Sequence, residues 1–390
     1  MSMWFVQLLV SQSLAAAPVC TAWGEPALLA ECLDCPRIDE SSGVVPARNR
    51  PGVWFTHNDA GGDAELYAFD ASGVHLETHS VLGGGFRDWE DIASGPCPTD
   101  VEAETCVYIG DVGDNSESRE EIDIWVVAEP VAGETAEVVA SWRLRYPVRP
   151  HDCEAIVVHP CTGRVYLITK ERSGEPTVFR VPETPTGPDR AVDLELVATM
   201  PITWFGDSGL VTGADWSERG DQLALHTYDG GWYWPTDPAH PEAHWSTAPL
   251  PLPVDTEGQG EAIAFHPDGG ILTTTERIPM RITYVPCDGT VDPSECPPPE
   301  PEDTGAPVDT GTPDDTACCP DTATDTAEEI VPGTQDSTAP VAEDPDSAVP
   351  AATAAAAPTK DECGCASGSS AWIAAWCLLG LVRRREAQRT

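Results

Sequence analysis

Five acidic residues, Glu40, Glu90, Glu154, Asp215 and Glu261, recur at intervals of 50, 64, 61 and 46 residues. Each leads into or sits within a short run of small and apolar residues, as in DWEDIAS, DCEAIVV and GQGEAIAF. A second run then follows and ends in polar residues: VWFTHNDAGG, CVYIGDVGDN, VYLITKERSG, LALHTYDGG and ILTTTERI. Carboxylates gathered at one place repel one another and cannot all stay ionised without a compensating charge. A hard cation suits such an irregular set of oxygen ligands, calcium more readily than magnesium. The expected metal set is Glu40, Glu90, Glu154, Asp215 and Glu261, extended by Asp111 and Asp114 of the loop GDVGDNSESREE. That loop departs from EF-hand spacing, so a looser calcium loop is the expectation there. His57, Asp59 and His226 are the acid/base candidates. Asn58, Arg87, Asn115, Lys170 and Tyr228 are the residues expected to hold a substrate or ligand. A structural reading competes with each: the acids can accept backbone amides at strand starts, and HNDAGG can be a turn built on Asn, Asp and Gly.

These residues meet only if the segments carrying them surround a common axis. A third β-rich run follows in every unit (ELYAFD, IDIWVVAEP, TVFRVPE, GWYWP, RITYVP), and a fourth in four of them (HLETHSVL, VVASWRLRYP, LELVATMPI, HWSTAPLPL). The fifth unit stops near Pro286, and the N-terminal PALLAECLD has the character of its missing strand. Repeated units of three to four short strands without helical periodicity predict an all-β chain folded as a β-propeller. Five blades is the simplest count; six is the alternative, because the two longest units have room for a degenerate blade. A β-sandwich is the competing fold, and it leaves the recurring acids unexplained. In a propeller the first strand of each blade lines the tunnel and the second returns to the same face. The acids should then ring one mouth, with Asp88, Asp91, Asp152, Glu171 and Glu276 close by. Trp232 and Trp234, two apart on one strand, face the same side and fit blade packing.

The chain carries 65 acidic and 21 basic residues, a net charge of -44. Nucleic acid is thereby excluded as a partner, since its recognition needs clustered Lys and Arg. Residues 1–296 hold 48 acidic and 16 basic groups, so the folded part is itself acidic. Residues 297–362 hold 16 acidic residues and one Lys among Pro, Thr, Ala, Gly and Ser. Such a stretch cannot bury enough apolar surface to offset the entropy of ordering, and a disordered stalk is expected.

The first 17 residues end an apolar run in small residues and read as an export signal cleaved near Ala16 or Ala17. They lack a basic start, and a short membrane anchor is the alternative. At the other end, an apolar stretch from Ala371 to Val382 runs into Arg383, Arg384 and Arg385, the pattern of a short hydrophobic helix with a cytoplasmic stop. Export would put the cysteines in an oxidising compartment. Cys97 with Cys106, Cys153 with Cys161 and Cys287 with Cys296 are the near pairs, and Cys20, Cys32 and Cys35 can supply a fourth bridge. Zinc competes for Cys32 and Cys35, though no second CxxC follows.

The motifs HNDAGG, DWEDIA, GDVGDN, DCEA, ALHTY and GQGEAIA resemble the bacterial phytase-like propeller group, including proteins labelled as esterase-like, over most of residues 36–286. The resemblance implies a propeller whose acidic mouth binds calcium, with the metal holding substrate phosphates. Glu40, Glu90, Glu154 and Glu261 inherit the metal role from it, and Asp215 does so on a weaker match. The chain departs from that group in cations: Lys170, Arg87 and Arg172 are the only candidates to hold phosphate. The C-terminal Cys363-Gly-Cys365, hydrophobic helix and Arg-rich end resemble the MYXO-CTERM tails of myxobacterial surface proteins. That resemblance implies retention at the membrane until a sortase-like protease acts near the cysteines. Two functions follow as expectations: a cell-surface propeller binding an extracellular ligand with calcium, or a calcium-dependent hydrolase of esters or phosphoesters.

Overall fold

The computed structural model describes residues 17–298, apart from 33–34, 36, 60–61, 173, 183–188, 207–208 and 257–258. The export signal over 1–16 and residues 299–390, which hold nearly all of the acidic stalk and the segment with Cys363 and Cys365, lie outside them. The chain divides into two units, Met1–Pro307 and Val308–Thr390, and every described residue belongs to the first.

Inner strands buried on both faces read as short continuous apolar runs, and all six residues of Cys153–Val158 and Gly260–Phe265 are buried. Each inner strand turns back through an antiparallel partner. The turns at Gly163 and Gly220 hold φ of +69° and +76°, a conformation that a side chain resists. Blade 1 comprises Ser41–Pro46, Val53–Asn58, Glu65–Asp70 and His75–Leu82. Blade 2 comprises Trp89–Pro96, Thr105–Asp111, Ile122–Ala128 and Ala136–Arg145. Blade 3 comprises Cys153–Val158, Val165–Thr169, Thr177–Arg180 and Glu195–Thr199, and blade 4 Val211–Trp216, Gln222–Thr227, Gly230–Pro235 and Leu250–Leu252. Blade 5 takes Gly260–Phe265, Ile271–Thr275 and Met280–Val285, and its outer strand is the N-terminal Ala27–Cys32. The segment PALLAECLD thus closes the ring, as its character predicts. Outer strands of blades 1 and 2 also meet through a short parallel pairing, Val81 opposite Ala136.

The blade count is decided by packing. Among the described residues five separate apolar cores occur, and each lies between two neighbouring blades. Ile156 and Leu167 pack with Tyr108 and Ile124 between blades 2 and 3; Trp216 and Leu225 pack with Tyr166 and Ile168 between blades 3 and 4. Blades 4 and 5, 5 and 1, and 1 and 2 supply the other three. A closed ring has as many such cores as blades, so the protein is a five-bladed β-propeller. The six-blade and sandwich alternatives fall away.

Four disulfides are present among the described residues. Cys97–Cys106 forms as expected. The other two expected pairs are corrected: Cys20 bonds Cys287, and Cys161 bonds Cys296. Cys153 is a buried free thiol. It begins an inner strand of six residues, about 20 Å long, whereas Cys161 lies beyond that strand's far end, out of disulfide reach. Cys296 reaches Cys161 because the chain after Cys287 pairs with Val19–Trp23 and then docks its Ser294 amide on Asp221 (3.1 Å). Cys32 and Cys35 pair with each other and supply the fourth bridge. Cys20–Cys287 links the first and last described strands, so ring closure is covalent as well as hydrogen-bonded.

Candidate metal centre at the tunnel mouth

All five inner strands share one irregularity. The pairing register slips between Ser41 and Val44, Trp89 and Asp91, Cys153 and Ala155, Val211 and Gly213, and Gly260 and Ile263. A bulge re-aims the side chain it contains. The residues in equivalent bulges are Ser42, Glu90, Glu154, Thr212 and Glu261. Three of the five recurring acids are therefore structurally equivalent, and two are not. Glu40 lies two residues before its blade's bulge and is exposed at the rim. Asp215 lies three residues past its bulge, deep in the ring, where it accepts the Phe265 amide of the next blade (2.8 Å).

Around Glu90 the mouth forms a tight cluster. One carboxylate oxygen from each of Asp59, Asp88 and Glu90 lies within 4.8 Å of the others. Two oxygens sharing a calcium at about 2.4 Å stand no more than about 4.8 Å apart, so this spacing fits a common ion. Glu90 is 3% exposed, and its Oε1 is buried with no hydrogen-bond partner. A Cβ on Gly113 would stand 2.0 Å from that oxygen and 2.7 Å from Asp88 Oδ2, so only glycine leaves the cluster open. Burial raises Glu90 well above the ordinary carboxylate range, and the charges of Glu154, Asp59 and Asp88 add to it. Burial and then Asp59 push Asp88 up to about 6. Asp152, its Oδ2 also buried without a partner, is raised by burial. The three cluster carboxylates fit a divalent cation by spacing, by donor type and by the orphaned oxygen.

On the adjoining blade the chemistry differs. Lys170 Nζ contacts both carboxylate oxygens of Glu154, donates to the Tyr228 hydroxyl at 3.0 Å and stands 4.7 Å from that ring's centroid. Burial raises Glu154, an effect that the ammonium opposes. Burial alone would lower Lys170, but contact with Glu154 and Tyr228 outweighs it and holds the lysine above its ordinary value. Glu261 is pushed up to about 9 by burial, with Glu276 and Glu154 adding to it.

Several expected site residues prove to be braces. Asp111 accepts the amides of Arg87 (3.1 Å) and Asp88 (3.2 Å) and pairs with Arg119 (2.9 Å). Asp114 accepts the Ser116 hydroxyl and the Arg119 amide. The oxygens of Asp111 thus fix the turn that carries Asp88, and those of Asp114 fix its own loop through Ser116 and Arg119. Asn58 holds the 37–40 turn through the Asp39 and Glu40 amides and the Arg37 carbonyl. Asn115 accepts from Arg172 at an exposed loop (2.6 Å). Arg87 lines a cleft of about 660 Å³ on the flank of blade 2, together with Trp125, Arg119 and Arg143.

His57 lies across from the slip between Ser41 and Val44, beside Gly43, and His226 pairs opposite Gly213; both are fully buried. Burial lowers each to about 4. His57 Nδ1 is 2.9 Å from the Asn58 carbonyl and its ring packs edge-on against Trp89, while His226 Nδ1 is 3.1 Å from Thr212 Oγ1. Neither imidazole reaches the solvent at the mouth.

Asp91 and Arg119 matter more than their spacing suggests. Asp91, fully buried, accepts the Ile92 amide (2.8 Å) and the Ile156 amide of blade 3 (3.0 Å), and bonds the Ala214 amide of blade 4. One carboxyl thereby bridges the inner strands of three blades. Arg119 donates to the Gly113 and Asp111 carbonyls as well as pairing with Asp111. Its one sequence signal is that it is the only cation in GDVGDNSESREE.

No family model matches the chain, and no curated protein matches it. Among solved structures it is similar to a glucose dehydrogenase at 8% identity, covering 68% of this chain and 100% of that one, with a TM-score of 0.40. It is similar to the soluble aldose sugar dehydrogenase of Escherichia coli at 10% identity, covering 67% and 99%, with a TM-score of 0.41. The major Malassezia sympodialis allergen Mala s 1 aligns at 8% identity over 68% and 97%, with a TM-score of 0.42. Similarities of this size leave the propeller to rest on the sheet order and interblade cores of the chain itself.

Proposed function

We propose that the chain is an exported, surface-held propeller that binds an extracellular ligand through a calcium ion seated on Asp59, Asp88 and Glu90. The observation that carries this reading is the buried, partnerless Oε1 of Glu90 inside a cluster of three carboxylates. Calcium takes six to eight oxygen ligands, so when bound it would offer open positions to carboxylate or phosphate oxygens of a ligand. The chain's own part is to hold the cluster open and in place. Gly113 leaves the space, Asp111 and Arg119 fix the Asp88 turn, and the bulge after Trp89 aims Glu90. Four disulfides support export to an oxidising compartment. The C-terminal segment with Cys363 and Cys365 would keep the chain at the membrane until a sortase-like protease acts there.

Calcium-dependent hydrolysis of esters or phosphoesters is the second reading, and it needs a proton carrier at the mouth. With His57 and His226 sealed below, Asp152 is the group whose free oxygen and raised pKa suit that task. A panel of phosphoester and carboxylic-ester substrates, assayed with and without calcium, separates the two. The ligand-binding reading expects no calcium-dependent turnover. Turnover that calcium restores, and that Asp152→Asn abolishes while calcium binding persists, would replace it with the hydrolase.

A further inference from the structure

The cleft of about 660 Å³ on the flank of blade 2 is bounded on one side by residues 85–87, which lead in from blade 1. Strand register decides what lines its other side. Asp111, Asp123 and Arg143 are direct partners across the second, third and fourth strands of blade 2, so their side chains share one face. Ile109, Trp125 and Ser141 form the next row of that face. Ile109 and Trp125 pack toward blade 1 in one apolar core with Phe86, and the row of Asp111, Asp123 and Arg143 carries the face on into the cleft. Trp125 and Phe86 therefore supply the cleft with aromatic rings, and the strand ends supply it with charge.

The donors of this wall are only partly used. Arg143 meets Asp123 (3.1 Å) and Glu121 (3.8 Å) through Nε, and its two terminal nitrogens have no partner among the described residues. Among the same residues Arg87 bonds only through its backbone amide, to Asp111. Arg119 is 5% exposed, and its Nε is buried with no acceptor, as is Nε1 of Trp125. Donors left over in a folded wall call for an acceptor from outside the chain.

We propose that this cleft binds a pyranose sugar, its C–H face on Trp125 and its hydroxyls between the guanidiniums and the carboxylates. A hydroxyl both donates and accepts, so a run of hydroxyls is matched by a wall that mixes carboxylate acceptors with guanidinium donors. The planar fork of Arg143 suits two neighbouring oxygens. An indole offers a flat apolar face of negative potential, which the C–H groups of a sugar ring meet favourably. Other ligand classes suit the lining less. A phosphate would face the four carboxylates of Asp111, Glu120, Glu121 and Asp123, and a metal ion would face three guanidiniums. A wholly apolar molecule would strip water from charges without replacing it. The volume is that of a small-ligand site. The cleft and the Asp59, Asp88 and Glu90 cluster share one turn, since Asp111 lines the cleft and accepts the Asp88 amide. Sugar binding nevertheless needs no ion, and the proposal stands apart from the calcium reading.

The test is a saturation-transfer NMR titration of the full chain, in chelator, with the methyl pyranosides of glucose, galactose, N-acetylglucosamine and glucuronic acid. Sorbitol, which carries hydroxyls but no ring face, is the control ligand. At least one pyranoside should bind wild type, and sorbitol should not. Trp125→Ala and Arg143→Met should each weaken that binding at least roughly tenfold, and Glu90→Gln should leave it unchanged. Wild type that binds no pyranoside overturns the proposal. So does binding that requires calcium, that survives either cleft substitution, or that sorbitol matches. Because Trp125 also packs between blades, its replacement can cost folding; Arg143→Met, at a partly exposed side chain, then decides the question alone. Loss of calcium binding in Glu90→Gln, or its absence in wild type, bears on the cluster and leaves this result as it stands.

Discussion

Stripped of divalent cations, the protein should be most stable at about pH 5–6 and should lose roughly 10 °C of melting temperature on either a rise to about pH 9 or a fall to about pH 4. The alkaline loss comes from carboxyls whose folded pKa lies above the unfolded one. Burial raises Asp215 to about 7 and Glu261 to about 9, with Glu276 and Glu154 adding to the latter. Folded protein binds these protons more tightly than unfolded protein, so stability falls as pH rises from the unfolded values near 4 through the folded ones. Each pKa unit is worth about 1.4 kcal/mol, and the half-buried Asp88 adds less because solvent screens it. The acid loss has the opposite sign. Burial lowers His57, His159 and His226 to about 4 and His244 to about 3. Unfolded chains take up those protons first, so stability drops as pH falls from about 6.5 toward 4. Saturating calcium should remove part of the alkaline loss, because an ion on Asp59, Asp88 and Glu90 neutralises the same field. Calcium should leave the acid limb unchanged. Differential scanning calorimetry across pH, with calcium and with chelator, reads both limbs. A flat alkaline limb in chelator would contradict the burial of these acids.

Replacement of Asp91 by Ala should cost about 3–5 kcal/mol, more than any single change at the mouth. The carboxyl bonds amides on three inner strands, at Ile92, Ile156 and Ala214. Alanine would leave these donors buried without an acceptor, at about 1–3 kcal/mol each before relaxation. Asparagine keeps an acceptor oxygen at the same reach and carries no charge. Because burial drives Asp91 toward its neutral form, Asp91→Asn should fall within about 1 kcal/mol of wild type. Urea denaturation of the two variants checks the pair of values. Equal losses would mean that the site is sensitive to shape and not to satisfaction of the amides.

The parts of the fold that were legible are those written in local pattern. Inner strands such as CEAIVV and GEAIAF announce burial on both faces, and PALLAECLD completes blade 5 as its apolar character suggests. Of the five acids at blade-like spacing, Glu90, Glu154 and Glu261 fall in equivalent bulges, whereas Glu40 and Asp215 fall outside them. Spacing places an acid on a strand, whereas the bulge decides which residue of that strand is aimed at the mouth. In VTGADW the bulge takes Thr212, and Asp215 falls three positions beyond it, on an amide of the next blade. Asp59 and Asp88 lie just outside strands, and only the return of the second strand to the mouth shows that they meet Glu90. The bracing roles of Asp111 and Asp114 depend on Arg119 and on amides of a neighbouring turn, contacts that no periodicity encodes. His57 and His226 looked reactive by type, and their strand register seals them under the mouth. Disulfide partners were missed where the closure of the ring, and not nearness in the chain, sets the distance.

On the calcium reading, one orphaned carboxylate and its two neighbours hold a divalent cation. The most direct test of that reading is a calcium titration of the chelator-stripped full chain beside Glu90→Gln, with the exposed blade-edge residue Glu137→Gln as control. Wild type and control should bind calcium alike, and Glu90→Gln should bind at least about tenfold more weakly, a loss of about 1.4 kcal/mol or more. Unaltered calcium binding in Glu90→Gln would contradict the account.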